Sequence, residues 1–352
     1  MIGILTFHFA YNYGAELQAY ALKKYLSQFD EVEIINYVPD KMWKPYSTKL
    51  IDKKVVTWPK AIFDIKKRKQ QSCIFENFKR NYLISNNTSP LKSQNLKEYS
   101  SKFSTVIVGS DQVWNTILTK NDTSYFLDFL SENSQKIGYA ISIGLNNPTD
   151  NLSHLIQSNI GSFSKISFRE NSASNLVFDL TKKKYPTVVD PVFLLDEDNY
   201  ISIEKKPENF EIKDYSLFYA LKNDKKLIED TLQLSKKLNC TVVSIHPMCV
   251  DASFKCVNLK NVGPQEFLYL VHHAKCIATN LFHATAFSVI FNKMALIEEN
   301  QGTGNRISEL FEITCKADGS IKYFDNSTMD KLKRKIEYSK EYISEAIQIW
   351  DK

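Results

Sequence analysis

Small and polar residues directly follow a short apolar run at 105–108, the position at which an α/β protein builds a binding site. Gly109 allows a ligand to approach the backbone closely, Trp114 can stack on a sugar ring, and Asp111 can hold or deprotonate a hydroxyl group. The side chains that can bond to sugar hydroxyls are Ser110, Asp111, Gln112 and Asn115. The alternative is a capped helix start with a core tryptophan, because Ser and Asp are common helix caps.

Two groups suited to anions or to proton transfer stand at similar strand ends. His283 follows the apolar run 276–279 at the start of a predicted helix, where the helix dipole attracts a phosphate or carboxylate and favours a neutral imidazole. Arg169 follows the run 165–168, and its guanidinium group can bind a carboxylate or phosphate through two bonds. The ordinary alternatives are a structural histidine, and an ion pair of Arg169 with Glu170 or another acid.

Two further loops carry weaker candidates. Asn12, Tyr13 and Gly14 precede the first helix, so its free N–H groups face the same crevice and favour an anion or a sugar; His8 lies in the same loop. Arg306 lies in a glycine-containing loop before another helix, as a second contact for an anion. A glycine turn before a helix is common, so the first loop is not a dinucleotide-binding fingerprint.

Strands and helices alternate along the chain and position these loops. A strand at 1–7, a helix at 15–27 and a strand at 32–37 form a βαβ unit, which requires a parallel sheet whose sites lie at the carboxyl ends of its strands. Further strands of this first unit are predicted at 105–108, 136–142, 165–168 and 187–189.

A second α/β unit is predicted after Asp190-Pro191. Its predicted strands are 215–221, 241–245, 276–279 and 294–297, and its predicted helices are 224–238, 264–274, 285–291 and 307–311. The segment 329–350 has the apolar spacing of an amphipathic helix. We therefore expect two doubly wound, Rossmann-like α/β domains: 1–200, which carries Arg169, and 201–328, which carries His283. A C-terminal helix at 329–352 follows them.

Length and composition agree with two soluble domains. The chain has 352 residues, of which 43% are hydrophobic and 24% charged. We find neither a run of about 18 apolar residues nor a signal peptide, so we expect a cytoplasmic protein. The six cysteines form no C-x-x-C pair, which argues against a zinc motif or a disulfide framework, and no metal is expected.

The positive charge is concentrated in one segment. The net charge is +5, whereas residues 41–80 alone carry 12 Lys and Arg against three acidic residues, interleaved with aromatic side chains. This pattern suits peripheral contact with the anionic inner face of a cell membrane, and a solvated helical face is the alternative. Nucleic acid is not an expected partner, because no RNA-binding motif or zinc finger accompanies the segment.

The chain contains, in this order, the segments GILTFH (3–8), NYGA (12–15), LQAYAL (17–22), IVGSDQVWN (107–115), YFLDF (125–129), KIGYA (136–140), ISFRE (166–170), VDP (189–191), GPQEFL (263–268) and FHATAFS (282–288). Taken in order, these segments resemble the polysaccharide pyruvyltransferase family, and the resemblance runs through most of the chain. Each is modest alone, but their common order makes coincidence a poor explanation.

The resemblance implies a fold similar to GT-B and phosphoenolpyruvate as the donor co-substrate, with no cofactor. It also implies a pyruvyl ketal that bridges two hydroxyls of a sugar or lipid-linked glycan in surface or capsular polysaccharide. The family's conserved histidine falls on His283, and its donor-binding arginine on Arg169. The chain departs from the family at Leu281, where members usually carry Ser or Arg. Either Arg306 or backbone N–H groups then make that contact, or the activity is altered or lost.

The sequence thus assigns three groups of site residues. The catalytic residues are His283 and Asp111; the donor-binding residues are Arg169, Arg306, Asn280 and Asn305; the acceptor-binding residues are His8, Asn12, Tyr13, Gly14, Ser110, Gln112, Trp114 and Asn115. Two other functions stay open: a nucleotide-sugar-dependent glycosyltransferase on the same architecture, and a non-catalytic glycan-binding relative.

Overall fold

The structure is a computed structural model that describes most of the chain. The described residues are 1–43, 69–85, 88–145, 147–220, 224–298, 307, 309–310, 316–318, 321–323 and 326–348. Within them the chain forms two sheets with helices, one from each half of the sequence; the first is parallel and the second is largely parallel.

The first sheet has five parallel strands in the order β2-β1-β3-β4-β5. They are β1 (Ile2–Leu5), β2 (Val32–Ile34), β3 (Thr105–Val108), β4 (Gln135–Ile141) and β5 (Lys165–Phe168). Its longer helices are α1 (Tyr13–Leu26), α2 (Ser93–Ser100), α3 (Asp150–Asn159) and α4 (Asn171–Thr181). The central strands β1 and β3 are buried at every position, which explains why they are continuous apolar runs. The strand order reverses between them, and a crevice opens there at the carboxyl ends.

Shorter elements complete this half. Single helical turns lie at Asp40–Trp43 and Thr116–Thr119, and 3-10 turns at Thr123–Phe126 and Ile160–Ser162. Residues 69–78 are helical and continue into a π-helical turn at Lys79–Leu83. The connection to the second half contains a 3-10 turn at Pro191–Phe193 and a short helix at Glu197–Ile201.

The second sheet has seven strands in the order β11-β12-β10-β9-β6-β7-β8. They are β6 (Tyr215–Tyr219), β7 (Thr241–Ser244), β8 (Val257–Asn258), β9 (Cys276–Thr279), β10 (Met294–Ile297), β11 (Lys316–Asp318) and β12 (Ile321–Tyr323). The strands β6 to β10 are parallel, and β11 and β12 add an antiparallel edge. The helices are α5 (Lys225–Lys237), α6 (Pro264–His272), α7 (Phe282–Ile290) and α8 (Asn326–Gln348).

The C-terminal helix α8 returns to the first sheet. The hydroxyl of Tyr342 donates to the Ile166 carbonyl at 2.7 Å, and the Gln135 side chain donates to the Ala346 carbonyl at 2.7 Å. The N–H of Val189 donates to the Ser339 hydroxyl at 3.0 Å. The amphipathic spacing of 329–350 therefore reflects packing of α8 across the first domain.

The fold class predicted from the sequence is confirmed: the chain forms two Rossmann-like α/β units, each built on a largely parallel sheet, and a C-terminal helix. The predicted strand at 187–189 is wrong, because only Thr187 forms a bridge, to Phe168. Pro186 and Pro191 flank this segment and lack the N–H group that a ladder needs. The hairpin of β11 and β12 was not predicted.

Candidate functional site

The site lies where the loops after β1, β3, β5 and β9 meet. In the first sheet the order reverses between β1 and β3, and in the second between β6 and β9, so both crevices open at the carboxyl ends of the strands. Each predicted site loop except the one that carries Asn305 and Arg306 follows one of these strands. The two halves contact each other here through His283 and Gly14.

Arg169 is the buried cation of the site. Its Nη1 donates to Oδ2 of Asp190 at 2.7 Å, and its guanidinium carbon lies 4.7 Å from the centre of the Phe282 ring. Its Nε is 3.6 Å from Glu170 Oε2, and its Nη2 is 4.0 Å from Asp111 Oδ1. Among the described residues, Nε and Nη2 have no hydrogen-bond acceptor although the side chain is only 2% exposed. Buried donors of this kind suit a bound anion.

His283 reaches the same carboxylate from the second domain. It is the second residue of α7, and its Nε2 lies 3.4 Å from Asp190 Oδ2. Its side chain is 14% exposed, and the Nε2 atom itself is buried. An imidazole held beside a carboxylate at a domain boundary suits proton transfer.

Asp190 joins the two domains electrostatically. Burial alone raises the pKa of this carboxyl group, but His283 and Arg169 together hold it well below its usual range. Its Oδ2 is also 3.3 Å from the Ser110 hydroxyl, and its Oδ1 accepts a bond from the Val192 N–H at 3.1 Å. Asp190 is therefore a carboxylate that orients both Arg169 and His283.

A small cavity lies beside Arg169. It holds about 30 Å³, room for about one water molecule, and its charged lining residues are Arg169, Asp190, Glu309 and Lys335. Glu309 caps helix α4 from the other half of the chain, accepting bonds from the N–H groups of Asn171 and Ser172 at 2.7 and 3.3 Å. Burial raises the pKa of Glu309 and lowers that of Lys335. A helix N-terminus, an arginine and a lysine thus converge at this point.

Some predicted site residues lie together beside Arg169, whereas others are buried in the core. Asp111 and Ser110 lie beside the Arg169–Asp190 pair. Trp114 is wholly buried: its ring stacks on Phe126 with centroids 4.7 Å apart, and its N–H donates to the Tyr125 carbonyl at 3.0 Å. The prediction that Trp114 stacks on a sugar ring is therefore wrong. Trp114 is a core residue, as the alternative interpretation of this loop had it.

Asn115 and Gln112 have structural roles, in agreement with the alternative interpretation of this loop as a capped helix start. Asn115 caps the helical turn Thr116–Thr119, accepting bonds from the N–H groups of Ile117 and Leu118 at 3.2 Å. Its own amide donates to Gln112 at 2.9 Å. Both side chains are occupied by internal bonds in this state.

The loop after β1 also differs from expectation. His8 is buried, contacts Asn36 and the Thr6 carbonyl, and has its pKa lowered to about 4 by burial, so it does not face a ligand. Tyr13 is buried between Phe75 and Phe267, with centroids 5.5 and 4.9 Å away. Both are corrections to the predicted acceptor contacts.

Two N–H groups at the start of α1 are already bonded within the protein. Asn12 accepts bonds from the N–H groups of Gly14 and Ala15 at 2.9 and 3.3 Å. Its side chain therefore takes the place that the sequence assigned to an anion at this helix end. Gly14 serves a different purpose, since it makes room for His283.

Of the remaining predicted donor-binding residues, the structure describes Asn280. Arg306 and Asn305 lie outside the described residues. Asn280 is buried directly after β9, and Leu281 is the residue before α7, with its N–H donating to the Thr279 hydroxyl at 3.1 Å.

Sequence reasoning missed the roles of Asp190, Glu309 and Lys335. Asp190 stood in a recognised motif but was interpreted only as a domain boundary. A carboxylate directly before a proline, at the end of a β-like run, was the available signal. Glu309 and Lys335 gave no signal in the sequence, because they come close to Arg169 only when distant segments of the chain fold back onto it.

Solved structures similar to this chain include nucleotide-sugar enzymes at low identity. UDP-GlcNAc 2-epimerase from Neisseria meningitidis is 12% identical, with a TM-score of 0.48 over 98% of this chain and 93% of that chain. UDP-GlcNAc 2-epimerase from Methanocaldococcus jannaschii is 12% identical, with 0.47 over 96% and 99%. The heptosyltransferase WaaC of E. coli is 8% identical, with 0.38 over 87% and 89%.

The sequence itself gives the family. A search of curated proteins finds no match. The sequence model of one family matches residues 12–297, which span the loops of both domains, including those that carry Arg169, Asp190 and His283. This chain belongs to the polysaccharide pyruvyl transferase family.

Proposed function

We propose that this protein transfers a pyruvyl group from phosphoenolpyruvate to two hydroxyls of a sugar, forming a ketal during surface or capsular polysaccharide synthesis in the cytoplasm. The observation that carries this proposal is the contact of Arg169 and His283 with one carboxylate, Asp190, from opposite domains. In the proposed reaction Arg169 binds the anionic donor and His283 transfers protons, and their contacts with Asp190 support this division between the two walls of one cleft.

The negative charge of phosphoenolpyruvate fits the buried N–H groups of Arg169. Phosphoenolpyruvate carries a carboxylate and a phosphate, which must be paired with fixed positive charge in a desolvated site. The Nε and Nη2 atoms of Arg169 can each donate a hydrogen bond to the bound anion, and Lys335 lines the adjoining cavity. Lys335 is a candidate for the donor contact that Leu281 is unable to make, alongside Arg306 and the backbone N–H groups of α7.

Proton transfer to and from the cleft is required at each stage. Protonation of the donor's methylene carbon makes its neighbouring carbon electrophilic, and a sugar hydroxyl adds there and loses its proton. Phosphate then leaves with the electrons of its C–O bond, and the second hydroxyl adds, again losing a proton, to close the ketal. Two protons are released and one is consumed by the methylene, while phosphate takes up the other. His283, with Asp190 orienting its Nε2, is the general acid/base.

Asp111 is suited to the acceptor. Its side chain is 17% exposed, and its Oδ1 lies 4.0 Å from Arg169 Nη2, so it borders the cleft without being tied into the Arg169–Asp190 pair. A carboxylate at this place can hold a sugar hydroxyl or accept its proton.

The partners follow from this reaction. The donor partner is phosphoenolpyruvate, the acceptor is a sugar or lipid-linked glycan, and the basic segment 41–80 gives peripheral contact with the membrane. Residues 44–68 of this segment lie outside the described residues. No helix among the described residues is both long and apolar enough to cross a membrane.

Product analysis tests the proposal. The protein is incubated with phosphoenolpyruvate and galactosyl or N-acetylhexosaminyl acceptors, and phosphate and product mass are followed together. We expect phosphate release that depends on the acceptor and a product heavier by one pyruvyl ketal. Sugar transfer from a nucleotide sugar would instead support a glycosyltransferase, and acceptor binding without either product would support a glycan-binding relative.

A further inference from the structure

A cluster of two histidines and a glutamate lies outside the cleft, where the interdomain connection meets helix α6. His272 is the last residue of α6, His273 follows it, and Glu204 comes just after the short helix Glu197–Ile201. None of the three belongs to the site around Arg169, Asp190 and His283. Their separation in sequence explains why the ligand spacing of a zinc motif is missing.

The three side chains already converge on a common point. Nδ1 of His272 is 2.9 Å from Glu204 Oε2, and Nε2 of His273 is 3.2 Å from Glu204 Oε1. One ligand atom from each residue lies within 4.8 Å of the other two. Ligands bound tetrahedrally at about 2.1 Å are about 3.4 Å apart, so shifts on the order of an ångström bring all three onto one ion.

Neighbouring rings hold the histidines in place. The His272 ring stacks on Phe291 with centroids 4.9 Å apart, and the His273 ring packs on Tyr269 at 4.2 Å. The His272, His273 and Glu204 side chains are 23%, 44% and 14% exposed, so the cluster is preformed yet open to solution. A preformed site loses less conformational freedom when it binds an ion.

The surroundings supply a supporting carboxylate. When Nδ1 of His272 binds a metal, its Nε2 carries a proton, and that atom lies 4.0 Å from Glu197 Oε1. A carboxylate behind a metal-bound imidazole fixes its tautomer and orientation. Lys293 is a nearby cation that interacts with both Glu197 and Glu204, and it offsets part of their negative charge.

We propose that Glu204, His272 and His273 bind one divalent transition-metal ion of the Zn²⁺ class, which ties the interdomain connection to the end of α6. Two imidazole nitrogens and a carboxylate suit Zn²⁺, Co²⁺ or Ni²⁺, whereas Mg²⁺ and Ca²⁺ prefer all-oxygen sites. The proposal does not depend on the transferase activity.

Metal titration tests it on the full chain. After removal of metal by chelation, Zn²⁺ is titrated by calorimetry at neutral pH, and melting is compared with and without Zn²⁺. We expect one ion per chain, a higher melting temperature with Zn²⁺, and no competition from Mg²⁺. Glu204→Gln and His273→Asn should each weaken binding at least tenfold, and Glu197→Gln about tenfold, as for a supporting carboxylate.

Matched controls locate the ion. His154→Asn removes an exposed histidine outside the cluster and should leave binding unchanged. Bound Co²⁺ should show the visible bands of nitrogen and oxygen ligands without a thiolate charge-transfer band, which excludes the free cysteines. Absence of saturable Zn²⁺ binding, or binding that survives Glu204→Gln and is lost when thiols are blocked, would overturn the proposal.

Discussion

The His283 ring lies directly against the backbone of Gly14. A Cβ atom at Gly14 would be 2.2 Å from Nδ1 and 2.6 Å from Cβ of His283, both far inside van der Waals contact. This contact joins the first turn of α1 in one domain to the first turn of α7 in the other. Only glycine at position 14 therefore allows His283 to approach Asp190 as closely as it does.

We predict that Gly14→Ala lowers turnover more than tenfold. The added methyl meets the Cβ of His283, close to the backbone, so rotation of the imidazole alone does not relieve the contact and the domains must shift. Alanine at the start of a helix favours helix formation by itself, so α1 should persist. Steady-state kinetics and circular dichroism check both parts.

Gly161→Ala is the matched control for this change. A Cβ at Gly161 meets no atom within 4 Å, so this variant should keep wild-type turnover. Wild-type turnover in Gly14→Ala as well would show that the close approach of His283 to Asp190 is unnecessary for the reaction.

Arg169 and His283 should fail in different ways. Arg169→Ala removes a group that binds the donor in ground and transition states alike, so its loss should appear mainly as a higher KM; His283→Ala removes proton transfer and should mainly lower kcat. Each loss should exceed tenfold. Arg169→Ala also leaves Asp190 buried without its cation, which should cost on the order of 3 kcal/mol of unfolding free energy.

Kinetics on folded variants decide this prediction, with Arg334→Ala as the control. Arg334 is exposed on α8, whereas Glu170 is unsuitable because it is buried and accepts bonds from the Ser142 hydroxyl and the Ile143 N–H at 2.8 and 3.1 Å. A His283→Ala enzyme with wild-type kcat would rule out the acid/base role and direct attention to Asp111.

Local patterns were enough to predict the framework of the molecule. The strands 105–108, 165–168, 276–279 and 294–297 match the structure residue for residue, because buried parallel strands are short apolar runs with sharp polar ends. The same logic located Arg169 and His283, each of which follows such a run. The segment 187–189 failed because apolar character does not show whether the backbone finds a partner strand.

Burial explains most of the site residues that the sequence misplaced. His8, Tyr13 and Trp114 have side chains that suit sugar binding, but whether such a group faces solvent or the core depends on neighbours from distant segments. Tyr13 is covered by Phe75 and Phe267, which lie far from it in the chain. Asp190 was missed for the converse reason, since its partners Arg169 and His283 come from other elements.

The basic segment 41–80 should bind anionic membranes. Its net charge of +9 and interleaved aromatic side chains favour a surface of anionic lipid headgroups, where each basic residue contributes about 1 kcal/mol. Sedimentation with anionic vesicles at low salt should carry the protein down, and replacing Lys66, Lys67, Arg68 and Lys69 by Gln should release it. Neutral vesicles are the control. Binding that survives the replacement would show that these four residues form only a solvated face.

His8 should make stability depend on pH below neutrality. Burial, assisted by Lys79 and opposed by the Asn36 contact, lowers the pKa of His8 from 6.5 to about 4. Between these values the unfolded chain binds a proton that the folded protein refuses, so the free energy of unfolding falls as pH drops from about 6.5 to about 4, by about 3 kcal/mol in total.

Glu16 acts in the opposite direction, so the test compares variants. Burial raises the pKa of Glu16 well above its ordinary 4.5; the folded state keeps this proton, and stability falls as pH rises above 4.5. Urea denaturation is measured for wild type and His8→Gln from pH 4.5 to 7.5. Both proteins contain Glu16, so the difference between their free energies of unfolding excludes its contribution. We expect the wild type to lose stability relative to His8→Gln as pH falls, and His154→Asn to follow the wild type. Parallel curves for wild type and His8→Gln would mean that folded His8 takes up its proton as readily as the unfolded chain does.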